Sequence, residues 1–214
     1  MQTLIGIIVS NIFVLVCIGI STLFEKKKWM SGEGTRKFVH IAVSNWWFIA
    51  MYYFDTAITA AIVPVMFVIV NYYSYKKQLF TSIERGGGVK DLGTVYYAIA
   101  LVVLSLWSFG MGRPEIGGIG ILIMGYADGF AAVVGTKFGK TPLIHGKSVE
   151  GTLTAVIMAT VVVMGFNAVY GLGLSGVAMI IIAISATLFE LFTPLGLDNL
   201  TVPIGSSLIA YAFL

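Results

Sequence analysis

Apolar runs of about 18 residues recur along this chain, and each is long enough to cross a hydrocarbon core of ~30 Å. Eight such segments are expected, at 2–24, 38–54, 57–73, 94–110, 116–135, 153–170, 174–193 and 201–214. The last is short; it either tilts or folds against its neighbours without crossing fully. A bilayer core offers no water to backbone N–H and C=O groups, so each segment must satisfy its own backbone. The expected fold is therefore an all-α polytopic bundle of about eight transmembrane helices, with residues 1–214 forming one transmembrane domain. Charged residues make up 11% of the chain, against about 25% in soluble domains, which excludes a soluble globular class. The first run lacks a positive leader, and its basic cluster Lys26–Lys28 follows it, so it reads as a retained helix and not a cleavable signal. The single cysteine, Cys17, lies inside that run and forms no intrachain disulfide.

The basic residues set an orientation. Twelve of the 13 lysines and arginines fall in odd-numbered loops; Arg113 is the exception. The positive-inside rule then puts the odd loops in the cytoplasm and both termini outside. That orientation gathers the polar chemistry on one face. Glu25, Glu33, Glu84, Asp91, Glu150 and Asp198 fall in cytoplasmic loops, while His40, Asp128 and Glu190 fall toward the cytoplasmic ends of helices. Asp55, Arg113 and Glu115 on the other side read as ordinary loop solvation. Tyr72, Tyr73, Tyr75, Tyr96 and Tyr97 read as an interfacial belt.

Asp128 sits within Gly125–Gly139, nine residues before Lys137, so a straight helix carries it ~13 Å inside that boundary. A carboxylate there is costly and is normally kept for a site. Asp128 and Glu190 both approach the negative end of a helix, which disfavours them further and calls for a cation, a basic side chain or a proton. The bland alternative for Asp128 is an ion pair with a neighbouring Lys or Arg, and for Glu190 a wet position near the interface. Gly125, Gly129, Ala132 and Gly135 lie close to the face of Asp128 and permit another helix to approach.

Four even-numbered helices start on the cytoplasmic face. Cap-like residues stand at each start: Thr35, Thr94, Ser148 to Thr152, and Asp198 to Thr201 before Pro203. Helix starts beside basic loops can receive anions, although any bundle of this topology has them. Gly139-Lys140-Thr141 and Gly146-Lys147-Ser148 fail as P-loops, because the required earlier glycine would fall at Val134 or Thr141. What remains is a loop of lysines, amides and hydroxyls able to hold phosphate, ending in Glu150. His40 follows Arg36 and Lys37 by four and three residues, on one side of the second segment, and could take a proton from an alcohol or bind lipid phosphate. Gly86–Gly88 beside Lys90 and Asp91 reads as a loop over the site or a plain turn, and His145 receives no role.

At these residues the chain resembles the membrane kinases that phosphorylate long-chain lipid alcohols with CTP (phytol kinase, dolichol kinase and CTP-dependent diacylglycerol kinase), distant relatives of phosphatidate cytidylyltransferase. The pieces that carry the resemblance are Arg36–His40, Asp128–Gly139, Lys147–Thr152, and Glu190 leading to Gly196–Pro203. The compact size and the last string lean toward the phytol and polyprenol kinases. The resemblance implies phosphoryl transfer from CTP to a lipid hydroxyl at the cytoplasmic interface of a prokaryotic plasma membrane, with Mg²⁺ bridging phosphate oxygens. Asp128, with Asp198 or Glu190, would hold the metal. Lys147 and Lys137 would hold phosphates, assisted by Ser148, Gly151 and Thr152, while Arg36 and Lys37 neutralise charge. His40 or Asp128 would orient or deprotonate the alcohol, and Glu150 would hold Lys147 or reach the metal. The expected partners are CTP, a lipid alcohol and the bilayer; no nucleic acid is expected, and a homodimer is compatible with so small a bundle. The competing readings are a phosphatidate cytidylyltransferase, a small membrane transporter and a purely structural membrane protein. The transporter fares worse because Leu101–Leu106 and Met158–Met164 offer no acid or base to relay an ion.

Overall fold

A computed structural model describes residues 1–30, 32–77 and 92–214. Glu84, Arg85, Gly86–Gly88, Lys90 and Asp91 lie outside the described residues. The described chain is helical throughout, with no strand; its one isolated bridge joins Pro142 to Ser148. The helices are α1 (Gln2–Lys26), α2 (Glu33–Ser44), α3 (Trp46–Tyr53), α4 (Ala57–Lys77), α5 (Gly93–Leu104), α6 (Pro114–Ile123), α7 (Gly129–Phe138), α8 (Val149–Tyr170), α9 (Gly176–Phe192) and α10 (Asp198–Ala212). Each apolar segment in the sequence meets one of these helices or a joined pair.

Two joins have local causes. At the α2–α3 break, the Ile41 carbonyl accepts from both Ser44 Oγ and Asn45 Nδ2, each at 2.8 Å. Side chains that compete for a carbonyl in this way bend a helix. Between α6 and α7, a π-helical turn over Met124–Asp128 keeps the rod continuous and ends on the aspartate. A second π-helical turn, Ser105–Phe109, extends α5. Such turns insert a residue into the helical register and recur at functional sites.

Four helical stretches are long and apolar enough to cross a membrane: Gln2–Lys26, Ala57–Lys77, Pro114–Phe138 and Val149–Tyr170. The apolar stretches Gly93–Phe109 and Gly176–Phe192 are shorter. Pro114–Phe138 is the central rod: 78% of its apolar window is buried, against 22–28% for the other three. It packs on α8, α10, α2 and α3. Trp47, Ile116, Ile119, Ile123 and Ile182 are completely buried. The Trp47 indole N–H donates to the Pro114 carbonyl at 2.9 Å, so this bulky side chain enters the core without an orphaned donor. Of the four expected helix caps, only Ser148 caps, accepting from Gly151 N at 3.2 Å. Thr35 and Thr94 lie inside α2 and α5, and α10 begins after Leu197 with no side-chain cap. Their helices start earlier than the polar residues suggested, because Gly32, Leu92 and Leu197 leave the helix first.

Candidate functional site

The start of α2, the last turns of α7, the start of α8, the end of α9 and the start of α10 meet at one end of the bundle. They enclose a polar cavity of about 260 Å³. Lys37, Asp128, Lys147, Ser148, Gly151, Thr152, Glu190 and Asp198 all line it. Two glycines bring its walls together. A Cβ on Gly129 would stand 2.4 Å from Ile41 of α2, and one on Gly151 would stand 2.9 Å from the Ala131 carbonyl of α7. Both helices therefore approach α7 closer than any side chain allows.

Each of the two acids carried within helices, Asp128 and Glu190, has found a lysine. The Lys37 ammonium pairs with Asp128, and both side chains are buried. Lys37 also lies 3.8 Å from Glu33, which in turn pairs with the buried Arg36. On the opposite wall, Lys147 reaches the Glu190 carboxylate at 2.6 Å and donates to the Glu190 carbonyl. The lysine thus offsets both the acid and the negative C-terminal end of α9. Asp198 has no ion-pair partner among the described residues; its Oδ1 accepts from Asn199 N at 3.0 Å. Glu190 and Asp198 both lie within electrostatic reach of Asp128.

The loop between α7 and α8 is folded to present Lys147 and Ser148. Leu143 N donates to the Lys147 carbonyl at 2.7 Å and Val149 N to the Thr141 carbonyl at 3.0 Å, while His145 and Gly146 turn the chain at φ +54° and +73°. The N-terminus of the 22-residue helix α8 opens on the cavity, with its positive end toward any anion there. The Thr152 hydroxyl has no hydrogen-bond partner among the described residues. A phosphate oxygen is a fitting acceptor for it.

Other sequence candidates lie elsewhere. Arg36 is buried behind the cavity wall, paired with Glu33. Lys137 borders a neighbouring space of about 290 Å³ shared with Glu33 and Lys37, its ammonium 5.4 Å from the Phe138 ring centre. Glu150 does not hold Lys147; its carboxylate accepts from Thr141 N and Oγ1, each at 3.4 Å. The lysine is instead held by Glu190, because the turn at His145–Gly146 directs it toward α9. His40 faces an apolar cleft beside the cavity. Tyr97 is buried there and is not part of an interfacial belt, whereas Tyr72 and Tyr73 are exposed. Sequence reasoning passed over Glu33 and His145 as cavity-lining residues. The i+4 spacing from Glu33 to Lys37 was the available signal for the first, and nothing local marked the second.

No cluster of three or more His, Cys, Asp or Glu side chains able to hold a metal ion by themselves occurs among the described residues. Mg²⁺ does not require one, since it takes one or two carboxylates together with substrate phosphates and water. The hard oxygen donors of Asp128 and the ion-pair-free Asp198, facing one cavity, fit that demand.

The chain is 36% identical to the phytol kinase of Synechocystis sp. over 186 residues, which cover 84% of this chain and 79% of that protein. It is 28% identical to a probable chloroplastic phytol kinase of Triticum aestivum, covering 83% of this chain and 66% of that protein. A probable phytol kinase 1 of Oryza sativa subsp. japonica is 31% identical, over 71% of this chain and 54% of its own length. No family model and no solved structure matches the chain. The match to the cyanobacterial protein runs through most of both chains, from helix to helix, and on that extent the chain belongs to the phytol kinase family.

Proposed function

We propose that this protein transfers the γ-phosphoryl group of CTP to the hydroxyl of a long-chain lipid alcohol of the phytol or polyprenol type. The observation that carries the reading is the polar cavity itself. Two lysine–carboxylate pairs, Asp198 with no ion-pair partner and the Thr152 hydroxyl with no hydrogen-bond partner among the described residues, and the start of α8 converge at one end of an apolar bundle. Phosphoryl transfer asks a protein mainly for positioning and charge neutralisation, and these groups supply both. Lys147 and Lys37 hold phosphate oxygens, and the Ser148 and Thr152 hydroxyls with the α8 amides fix their orientation. Asp128 and Asp198 would hold Mg²⁺, which would neutralise charge developing on the phosphates. The alcohol oxygen bonds to the γ-phosphorus, the bond from that phosphorus to the β-bridging oxygen breaks, and CDP leaves. His40, one turn below Lys37, takes the alcohol proton. CTP as donor rests on the family resemblance.

We propose a cytoplasmic face for this end of the bundle, with eight crossings, both termini outside and a prokaryotic plasma membrane; the basic loops support the orientation. Label placement tests the reaction. Purified protein is incubated with Mg²⁺, phytol, farnesol or diacylglycerol, and CTP labelled at the γ- or the α-phosphate. Label should pass to a prenol from γ-labelled CTP alone. Transfer from α-labelled CTP would mark a cytidylyltransferase instead.

A further inference from the structure

One helical turn from the polar cavity lies a second space, an apolar cleft of about 80 Å³ between α1, α2, the start of α3, α4 and α5. Val14, Val43, Val63, Phe67, Ala98 and Leu101 are among its walls. His40 and Tyr97 also line it, only 4% and 6% exposed, with ring centres 5.3 Å apart. Neither His40 Nδ1 nor the Tyr97 hydroxyl has a hydrogen-bond partner among the described residues. Leaving one such group unpaired in an apolar setting costs about 1–3 kcal/mol. Two of them side by side call for a ligand that brings one polar atom and is otherwise hydrocarbon.

The placement of the cleft narrows the ligand further. His40 follows Lys37 by three residues, so the two share a face of α2, and His40 lies within electrostatic reach of Asp128. A hydroxyl bound at His40 therefore stands beside the phosphate cavity. Below it, the cleft follows α2 and α3 from His40 to Trp46, about 9 Å of helix rise, between largely apolar walls. Its far end is directed away from the polar cavity, along the bundle.

We infer that this cleft takes the carbons next to the hydroxyl of the substrate, a single-chain primary alcohol whose remaining chain continues along the bundle, and that Tyr97 and His40 receive the hydroxyl. The inference rests on the lipid-alcohol kinase reading of the neighbouring cavity. The alcohol O–H donates to His40 Nδ1, and the Tyr97 hydroxyl donates to the alcohol oxygen. A space of about 80 Å³ admits the first carbons of one chain beside the hydroxyl and leaves no room for the branched glycerol of a diacylglycerol.

Steady-state kinetics with phytol and CTP test this on Ala98→Phe, which fills the cleft, and on Tyr97→Phe, which removes only the hydroxyl. Ala98→Phe should raise KM for phytol about tenfold or more while KM for CTP stays within about twofold. Tyr97→Phe should lower kcat/KM for phytol about tenfold, as loss of one buried hydrogen bond to the substrate implies, while its substrate-free thermal midpoint is equal to or above that of the wild type, because the deleted hydroxyl is unpartnered there. An unchanged KM for phytol in Ala98→Phe overturns the inference. Should that variant fail to fold, photolabelling of the wild-type protein decides, using a phytol analogue with a diazirine on its chain. Crosslinks to peptides containing Phe67 or Leu101 support the cleft; crosslinks confined to the α3–α8 groove around Met158 and Phe166 overturn it. Wild-type protein that takes the label in the cleft yet phosphorylates no alcohol would sink the kinase reading and leave the chain site standing. Phosphorylation of phytol without cleft labelling would do the reverse.

Discussion

Lys37 and Asp128 lie 91 residues apart in the chain, yet their side chains meet in a buried pair at the cavity wall. Removing one member of such a pair strands the other charge, whereas replacing both is often close to neutral. Asp128→Asn should therefore destabilise the protein by on the order of 3 kcal/mol. The double variant Lys37→Gln/Asp128→Asn should recover most of that loss, as read by thermal unfolding in one detergent. If the single variant melts like wild type, the pair is not the dry contact described here. Lys147 makes a different prediction, because it is partly exposed and lines the polar cavity at the start of α8. Lys147→Ala should raise KM for CTP about tenfold or more, the loss of a charge-assisted contact, and leave KM for phytol nearly unchanged. Equal effects on both substrates would remove Lys147 from the phosphate grip. Asp128 was legible in the sequence because a carboxylate in an apolar helix stands out. Its pairing with Lys37 was not, since only the packing of α2 against the central rod brings the two side chains together. The same holds for Glu190, which reads in sequence as a metal ligand or a wet position near the interface; the turn at His145–Gly146 aims Lys147 at it.

Helix approach is what makes the cavity, and glycines decide it. A Cβ at Gly129 would overlap Ile41, so Gly129→Val should force α2 from α7, separate Lys37 from Asp128 and cost about 1–3 kcal/mol of overpacking. Gly165 in α8 has open space around the same position, so Gly165→Ala should be neutral or stabilise by up to ~1 kcal/mol through helix propensity. Thermal midpoints and transfer rates of the two variants, measured together, check both. Matching losses at the two glycines would show that general helix weakening, and not the α2–α7 contact, controls activity. The helices themselves were legible from their apolar runs. The breaks inside them were less so: the turn at Asn45 depends on two side chains sharing the Ile41 carbonyl, and the π-helical turn ending at Asp128 has no single residue that announces it. The helix starts were misjudged for a related reason. Thr35 and Thr94 look like caps in isolation, but glycine and leucine ahead of them set where α2 and α5 begin.

At the scale of the molecule, one end of the bundle carries the cavity and its lysines, while the other end carries little beyond Asp55 and the Arg113–Glu115 pair at 2.5 Å. This asymmetry suits an enzyme working at one membrane face and not a conduit through the bilayer. It was visible in the sequence as twelve basic residues in odd loops, whereas the cleft behind His40 was not, because its walls come from five separate helices, α1 to α5, and only their packing brings them together. Cys17 is the sole cysteine and is buried, so Cys17→Ala provides a background for topology. A cysteine introduced at Thr141 should resist an impermeant maleimide added outside intact cells, and one at Gly112 should react. Reversed labelling would turn the cavity outward and away from cytoplasmic CTP. The central claim is that a phosphoryl group moves within the cavity joining Lys37, Asp128, Lys147, Glu190 and Asp198. Its most direct test is transfer of label from γ-labelled CTP to phytol by wild-type protein and by Lys37→Gln/Asp128→Asn, at matched thermal stability. The account predicts labelled phytol from the wild type and at least about a hundredfold less from the double variant, the scale of a lost electrostatic stabiliser; transfer by the double variant at the wild-type rate would contradict it.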